Sequence, residues 1–214
     1  MSRPERGLAY CRGRLKRSFD VLACLVCLPL LAPFLALVAL FVLVSSGRPV
    51  MFDQVRIGLE GRPFRLRKFR TMRREAPAGL PLTGRGDRRV TPAGRLLRSL
   101  KMDELPQLLN VLKGEMSLVG PRPEVPRYVA AYTEEQRLVL RVRPGLTDPA
   151  TVAFRDEESL LGAVAEDLRE SFYLSEILPR KLRMNLQYVE EAGFRYDLVL
   201  IARTLVSIIV PARG

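Results

Sequence analysis

The sequence predicts an α+β protein, mostly helical, in which a single cytoplasmic-facing domain is attached to an N-terminal re-entrant membrane helix of helix-break-helix form. Three observations lead to this prediction: a long charge-free run near the N-terminus, apolar residues at helical spacing further on, and two extended segments around a glycine-bounded turn. We divide the chain into residues 1–47, a basic N-terminus with the membrane helix, and residues 48–214, a domain with interfacial amphipathic helices.

The membrane prediction depends on the run from Val21 to Gly47, which contains no charged residue. It exceeds the roughly 20 residues that cross a bilayer. Pro29 and Pro33 lie inside it, and each removes a helical hydrogen bond. The arms on either side of the prolines extend only ~18 Å and ~21 Å at 1.5 Å per residue, less than the ~30 Å of hydrocarbon.

Basic residues flank this run on both sides, from Arg12 to Arg17 before it and from Arg48 to Arg70 after it. Because lysine and arginine mark the cytoplasmic side of a membrane segment, both ends are expected in the cytoplasm. A spanning helix kinked at its prolines is the alternative, since membrane helices tolerate proline.

Composition limits the chemistry. The chain has 35 Lys and Arg against 23 Asp and Glu, a net charge of +12, which favours anionic partners. It has no histidine, so acid–base chemistry falls to carboxylates, lysine, tyrosine or cysteine, and a metal would be a hard cation held by oxygen. Its three cysteines have no framework spacing, which indicates a reducing compartment.

The domain begins with a predicted hairpin, in which Val50–Phe52 and Phe64–Leu66 flank a turn at Gly58–Gly61. Residues 75–87 are rich in proline and glycine and are expected to form a loop. Thr91-Pro92 is expected to open a helix, since proline is favoured at the first turn.

Further predicted elements follow in chain order. Apolar spacing predicts a helix from Leu105 to Lys113, stopped by Gly114. The rest are a rigid non-helical segment at Ser117–Pro123, a polar helix at Glu124–Leu140, a turn at Arg143–Gly145, an acidic helix at Asp156–Glu170 and an apolar helix at Leu198–Val210. The apolar helix suits either the core or the membrane interface.

Asp103 and Glu104 are the first candidates for chemistry. They precede Pro106, so Asp103 could simply cap a helix. A helix N-terminus also binds phosphate, Arg95, Arg98 and Lys101 come just before the pair, and a carboxylate is one of the few nucleophiles or metal ligands that remain without histidine.

Arginines and lysines supply the other candidates. The run from Arg65 to Arg74 could bind phosphate on one face and anionic lipid head groups on the other, although a polybasic anchor explains most of it. Arg122 lies between Pro121 and Pro123, which fix the backbone and favour bidentate phosphate binding, and Arg143 before Pro144 follows the same logic. Aromatic residues in the basic run are sparse, so no nucleic acid is expected as a partner.

Taken together, these segments resemble the small monotopic phosphoglycosyl transferases, the bacterial sugar transferase family that acts on polyprenyl phosphates. The resemblance covers about residues 15–150 in family order. The matching segments are Lys16–Asp20, Arg56–Leu59, Arg67–Met72, Arg98–Gly114, Met116–Pro123 and Arg143–Thr147.

The resemblance implies an enzyme on the cytoplasmic face of the bacterial inner membrane, with residues 48–214 as its catalytic domain. It implies that Asp103, with Glu104 as partner, attacks a UDP-sugar, releases UMP and forms a covalent aspartyl-phosphosugar intermediate. A polyprenyl phosphate, typically undecaprenyl phosphate, then accepts the phosphosugar, in the first membrane step of surface glycan assembly. It also implies Mg²⁺ as cofactor, touched by Asp103, and places Lys68, Arg98 and Arg122 near the phosphates.

The chain departs from the family pattern at several positions. Ala32 replaces a serine before Pro33, Ile57 replaces a proline, Asp148–Arg155 replaces a glycine- and asparagine-containing motif, and Asn185 stands where aspartate is common. The alternative function is a non-catalytic membrane-bound adaptor that holds anionic lipid or nucleic acid on its basic face.

Overall fold

The computed structural model describes residues 3–74 and 82–209, with side chains from 5 to 74 and from 82 to 208. Part of the loop predicted at 75–87 therefore lies outside the described residues. The helices are α1 (Arg3–Arg12), α2 (Arg14–Ser46), α3 (Pro92–Ser99), α4 (Leu108–Lys113), α5 (Pro126–Ala130), α6 (Pro149–Ala153), α7 (Glu157–Gly162), α8 (Arg169–Phe172), α9 (Leu178–Glu191) and α10 (Phe194–Ile209). The strands are β1 (Met51–Ile57), β2 (Pro63–Phe69), β3 (Ser117–Val119) and β4 (Gly145–Thr147).

The fold is mostly helical, as predicted, with two small two-stranded sheets. Strands β1 and β2 form the predicted hairpin, which is longer than expected and pairs Met51 with Phe69 at one end and Ile57 with Pro63 at the other. Strands β3 and β4 pair in parallel, which the sequence did not predict.

Helix α2 is one apolar helix of 33 residues that runs through both Pro29 and Pro33. Among the described residues it is the only helix long and apolar enough to cross a membrane, by length and composition. Many of its large apolar side chains are exposed, Leu30 and Val44 among the most. A break at the prolines and a return to the same side stay predictions, because a helix can continue past a proline with a kink.

A buried polar cluster fixes the start of α2 to the rest of the chain. Lys16 Nζ lies 2.6 Å from Asp197 of α10 and 3.6 Å from Asp20. Tyr10 and Tyr188 each donate a hydrogen bond to the Asp197 carboxylate, at 2.8 Å. We call Lys16, Arg17, Asp20 and Asp197 the helix base.

The helix base also contacts the segments on either side of α4. Arg17 donates to the carbonyls of Val111 and Leu112, at 2.6 and 2.8 Å. Asp20 accepts a hydrogen bond of 2.7 Å from the Ser117 hydroxyl at the start of β3. These bonds join α2 to the segment that follows Asp103 and to the strand that leads to Arg122.

The other end of α2 contacts the same domain. Arg70, at the end of the hairpin, donates to the carbonyls of Ser46, Gly47 and Arg48. The backbone carbonyls at the C-terminus of a helix lack helical partners, so a buried arginine that donates to them stabilises this end. Both ends of the apolar helix are therefore packed on one body.

Two predicted helices after the hairpin are confirmed in part. Helix α3 opens as expected, with the Thr91 hydroxyl accepting from the Gly94 amide at 2.9 Å. The helix predicted from Leu105 instead begins as a 3₁₀ segment, Met102–Gln107, and becomes α-helical at Leu108. Pro106 has no backbone N–H to donate, which favours this tighter turn. Gly114 ends the helix with a positive φ of 83°, as predicted.

Three later predictions were wrong in their bounds. The predicted helix at Glu124–Leu140 is α5 followed by a 3₁₀ segment at Gln136–Arg141. The predicted turn at Arg143–Gly145 is extended and leads into β4, because the Pro144 carbonyl accepts from the Ser117 amide at 2.8 Å. The predicted acidic helix at Asp156–Glu170 is α7, a break and a short 3₁₀ segment that leads into α8.

The C-terminal helices complete the core. Helix α10 begins earlier than predicted and buries Asp197 and Leu200, while Leu205 and Val206 are exposed on its other face. Helix α1 packs on the end of α9 so closely that a Cβ at Gly7 would lie 2.4 Å from the Glu190 carbonyl oxygen. Glycine is required at that crossing.

Candidate active site

A cavity of about 940 Å³ lies between the hairpin, α3, the 3₁₀ segment Met102–Gln107 and helices α5, α6, α7 and α9. Twelve basic and five acidic side chains line it. Its volume suits a ligand larger than a single phosphate. The excess of positive charge indicates an anionic ligand.

Asp103 and Glu104 both line this cavity. The residue before Met102, Lys101, has left-handed backbone dihedral angles, φ 54° and ψ 18°, which for a non-glycine residue cost on the order of 1 kcal/mol. This turn directs the 3₁₀ segment and brings both carboxylates to the cavity wall. Asp103 is therefore not the cap of a regular helix, which was the structural alternative.

The two carboxylates have different partners. Glu104 accepts hydrogen bonds from both terminal nitrogens of Arg122, one of them at 3.3 Å from Nη1 to Oε2. Asp103 is only 6% exposed, and among the described residues it has no hydrogen bond or ion pair. One carboxylate is held in place and the other is available to a ligand.

The two carboxylates also differ in their pKa values. Burial and the neighbouring Glu104 charge raise the pKa of Asp103 above its usual value, against the effect of Lys68, Arg98 and Lys101. Burial also acts to raise the pKa of Glu104, but its ion pair with Arg122 outweighs this and lowers it. Glu104 is thus a fixed anion, and Asp103 is a more basic carboxylate.

Lys68 lies on the cavity wall across the hairpin from Phe52, and its Nζ is 5.6 Å from the centre of the Phe52 ring. Burial, followed by repulsion from Arg56, lowers the pKa of Lys68 to about 8. No ion pair with Lys68 exists among the described residues. Its ammonium is therefore available to an anion.

Arg98 and Arg122 also line the cavity. The Arg98 Nε donates to Glu158 at 2.9 Å, which ties the end of α3 to α7. The backbone of Arg122 is fixed by its flanking prolines and by the adjacent β3–β4 pair. At this pair a Cβ on Gly145 would lie 2.1 Å from the Gly120 nitrogen.

Arg143 is the one predicted phosphate-binding residue that the structure does not bring to the cavity. Its Nε donates to the Gly114 carbonyl at 2.9 Å, and Arg17 and Asp20 are its charged neighbours. The extended path of residues 143–145 directs this side chain towards the helix base.

Further ion pairs on the cavity wall join residues that the sequence analysis did not select. Arg56 pairs with Glu124, which also accepts a hydrogen bond of 2.6 Å from the Tyr173 hydroxyl. Lys181 pairs with Glu157 at 2.9 Å. A glutamate two residues after Arg122 was a usable signal for the first pair, whereas nothing local connects Glu157 with Lys181, 24 residues apart.

The donor set fits Mg²⁺ on one condition. The described residues contain no group of three or more acidic, cysteine or histidine side chains able to hold a metal. Magnesium is commonly bound through one or two carboxylates together with substrate phosphates and water. The unbonded carboxylate of Asp103 fits that arrangement if the ligand brings phosphates.

Comparison with known proteins gives consistent matches. The bacterial sugar transferase family model matches residues 11–211. A UDP-glucose:undecaprenyl-phosphate glucose-1-phosphate transferase of Caulobacter vibrioides is 38% identical, over 91% of this chain and 69% of its own length. The exopolysaccharide production protein ExoY of Rhizobium meliloti is 36% identical, over 92% and 86%.

A third relative carries a different sugar in its name. The UDP-N-acetylgalactosamine-undecaprenyl-phosphate N-acetylgalactosaminephosphotransferase of Aeromonas hydrophila is 34% identical, over 91% of this chain and 44% of its own length. Relatives of similar identity are thus named for different sugars.

Proposed function

The chain belongs to the bacterial sugar transferase family and is a phosphoglycosyl transferase, and we propose that it transfers a sugar 1-phosphate from a UDP-sugar to a polyprenyl phosphate such as undecaprenyl phosphate. The products are UMP and a polyprenyl-diphosphate sugar, a first membrane intermediate of a surface glycan. The observation that carries this proposal is a buried carboxylate, Asp103, that has no partner among the described residues and lies in a cationic cavity beside the long apolar helix α2.

In the first step, an oxygen of the Asp103 carboxylate attacks the β-phosphorus of the UDP-sugar. The bond from this phosphorus to the oxygen that bridges the two phosphates breaks, and UMP leaves with the electron pair. The sugar phosphate stays on Asp103 as a mixed anhydride. Asp103 suits this role because its raised pKa makes it the stronger nucleophile of the two carboxylates.

In the second step, a phosphate oxygen of the polyprenyl phosphate attacks the same phosphorus. The bond to Asp103 breaks, and its electron pair returns to the carboxylate. The product is the polyprenyl-diphosphate sugar. No general base is required for an already ionised phosphate, which is consistent with a chain that has no histidine.

Fixed cations offset the charge that repels a carboxylate from two phosphates. We assign this role to Lys68, Arg98 and Arg122, while Glu104 holds Arg122 in its bidentate geometry. If Mg²⁺ is bound, Asp103 and the substrate phosphates would hold it, and it would supply further charge neutralisation.

We further propose that α2 is re-entrant and that the catalytic domain lies on the cytoplasmic face of the inner membrane. Support comes from the two ends of α2, which are held on the same domain by Lys16 and by Arg70. A helix that crosses the bilayer would separate these ends by the full hydrocarbon thickness, ~30 Å. The exposed apolar side chains of α2 would enter the membrane, and the basic flanks would meet anionic head groups.

Cysteine labelling tests the topology. Arg6→Cys on α1 and Asp53→Cys on β1 should both react with a membrane-impermeant maleimide in inverted vesicles and not in intact cells. A background with Cys11, Cys24 and Cys27 replaced by serine or alanine isolates the signal. Labelling of Arg6→Cys from outside intact cells would show a spanning helix.

UMP release tests the reaction. Detergent-solubilised protein with Mg²⁺ and undecaprenyl phosphate is offered a panel of UDP-sugars, and at least one should yield UMP. No release with any donor, from folded protein that binds anionic vesicles, would favour the adaptor.

A further inference from the structure

The cavity has two ends, which β1 connects. Phe52, Gln54 and Arg56 occupy alternate positions of this strand, and all three line the cavity. Four residues of strand span ~13 Å. Phe52 lies near the C-terminal end of α2, where Arg48 and Arg70 also line the wall, whereas Arg56 pairs with Glu124 far from that end.

The two ends differ in what they offer a ligand. On the proposed function, the end near α2 lies next to the membrane, where the lipid acceptor would arrive. The far end contains the ion pair of Lys181 with Glu157, and the Lys181 ammonium lies 5.4 Å from the centre of the Tyr173 ring. Phe154 adds apolar surface there. We call Glu157, Lys181 and Tyr173 the distal group.

The distal group is built into the fold. Lys181 is 5% exposed and Tyr173 is 1% exposed, yet both line the cavity. A buried ion pair contributes little net stability compared with apolar residues of the same volume, so its presence on a cavity wall favours a role in recognition. The Glu157 side chain is 25% exposed and can accept further hydrogen bonds.

The distal group shares its cavity with the proposed reaction centre. Arg122, Glu104 and Glu157 all line it. A ligand whose phosphate is bound by Arg122 therefore extends within the same cavity as Glu157. For a UDP-sugar that group is either the sugar or the nucleoside.

We infer that the distal group recognises the hydroxyl groups of the donor sugar and so sets which sugar is transferred. A carboxylate beside an ammonium offers one acceptor and one donor, which matches a pair of neighbouring hydroxyls. Phe154, which is half-buried and lines the cavity, supplies apolar surface for a sugar ring. Uracil also presents a donor, its N3–H, beside two carbonyl acceptors, so the experiment below includes UMP to separate nucleoside from sugar.

This inference rests on the proposed function, and it makes the distal group a specificity determinant of the same site. Glu157→Gln keeps the shape of the side chain and removes its charge. Lys181→Met keeps the apolar stem and removes the ammonium. The matched control is the exposed pair Arg180 and Glu176 on the neighbouring turn, changed as Glu176→Gln and Arg180→Met.

The experiment measures the dissociation constants of UDP-glucose, UDP-galactose, their N-acetylated forms and UMP by calorimetry, on the full chain carrying Asp103→Asn, which blocks the first chemical step, in detergent with Mg²⁺. This parent chain should prefer one sugar over its epimer. Glu157→Gln and Lys181→Met should each reduce that preference about tenfold while the UMP constant changes less than twofold, as expected when a buried polar group loses its hydroxyl partner. The control variants should keep the preference.

Two outcomes would overturn the inference. Equal weakening of all donors together with UMP would mean that the distal group binds the nucleotide or only supports the fold. An unchanged epimer preference in both variants would mean that other residues recognise the sugar. Because the Asp103→Asn parent binds the donor without chemistry, failure of the proposed reaction appears separately, as wild type that binds a UDP-sugar and releases no UMP.

Discussion

The helix base and the cavity are both rich in buried charge, but they differ in how those charges are paired. At the helix base, Lys16, Asp20 and Asp197 bond to one another, and Arg17 donates to two carbonyls. In the cavity, Asp103 and Lys68 have no ion-pair partner among the described residues. The paired charge of the helix base fixes α2 to the domain, whereas the unpaired charge of Asp103 and Lys68 is left for a ligand.

The contrast predicts its largest effect at Asp103. Asp103→Asn should reduce UMP release at least ~10³-fold, as loss of a nucleophile does in other enzymes. It should leave the melting temperature unchanged or higher, because it removes a buried charge that has no protein partner. Asp53→Asn, an exposed change on β1, is the control and should alter neither quantity. A variant with several per cent of wild-type activity would exclude Asp103 as nucleophile.

Asp197→Asn should give the opposite result. It leaves the buried Lys16 ammonium without its closest partner, and breaking a buried pair in this way costs about 3–5 kcal/mol. Denaturant unfolding in micelles measures the loss. If Asp197→Asn were as stable as wild type, the helix base would not fix α2 to the domain.

Arg122→Lys should have an intermediate effect on activity. Lysine keeps the charge and loses the two-pronged contact with Glu104 and with a phosphate, so kcat should fall roughly 10²-fold. Arg143→Lys is a suitable comparison, since Arg143 lies outside the cavity wall, and it should retain near-normal kcat. Equal losses in the two variants would contradict the placement of the phosphates beside Arg122.

The pH dependence should show the smallest effect, several-fold over two pH units. Asp103 must be ionised to attack, and its pKa is raised, so kcat/KM should fall as the pH drops through that raised value. The pKa of Lys68 is lowered to about 8, so its charge is present below that pH and is lost above it. The profile should therefore be bell-shaped.

Lys68→Arg provides the check on the alkaline limb. Arginine stays charged at every pH tested, so the fall in kcat/KM above pH 8 should disappear. If the alkaline limb persisted unchanged in this variant, another group would be responsible for it.

Local sequence patterns were sufficient to predict several of the secondary-structure elements. The hairpin, the helix start at Thr91-Pro92 and the Gly114 stop each depend on a few neighbouring residues, so the sequence predicted them correctly. The cavity is lined by Lys68, Arg98, Asp103 and Glu104, which the family resemblance groups around the substrate phosphates. Their roles remain proposals.

Contacts between residues far apart in the chain could not be predicted from the sequence. Lys16 and Asp197 are 181 residues apart, and no periodicity connects them. Arg143 and Arg122 both precede a proline, yet the parallel pairing of β3 and β4 directs only Arg122 to the cavity. The helix predicted from Leu105 began differently, because Lys101 and Pro106 impose a backbone that helical spacing does not reveal.

The central claim is that Asp103 carries the phosphosugar. The most direct measurement is intact-protein mass spectrometry after incubation with Mg²⁺ and the accepted UDP-sugar, without polyprenyl phosphate. We predict that wild type gains the mass of one sugar phosphate, that peptide mapping locates it on Asp103, and that added undecaprenyl phosphate removes it. Asp103→Asn should gain nothing. The account would be contradicted if wild type turned over with undecaprenyl phosphate but never gained this mass and released no UMP without the acceptor. That result would indicate direct transfer between the two substrates.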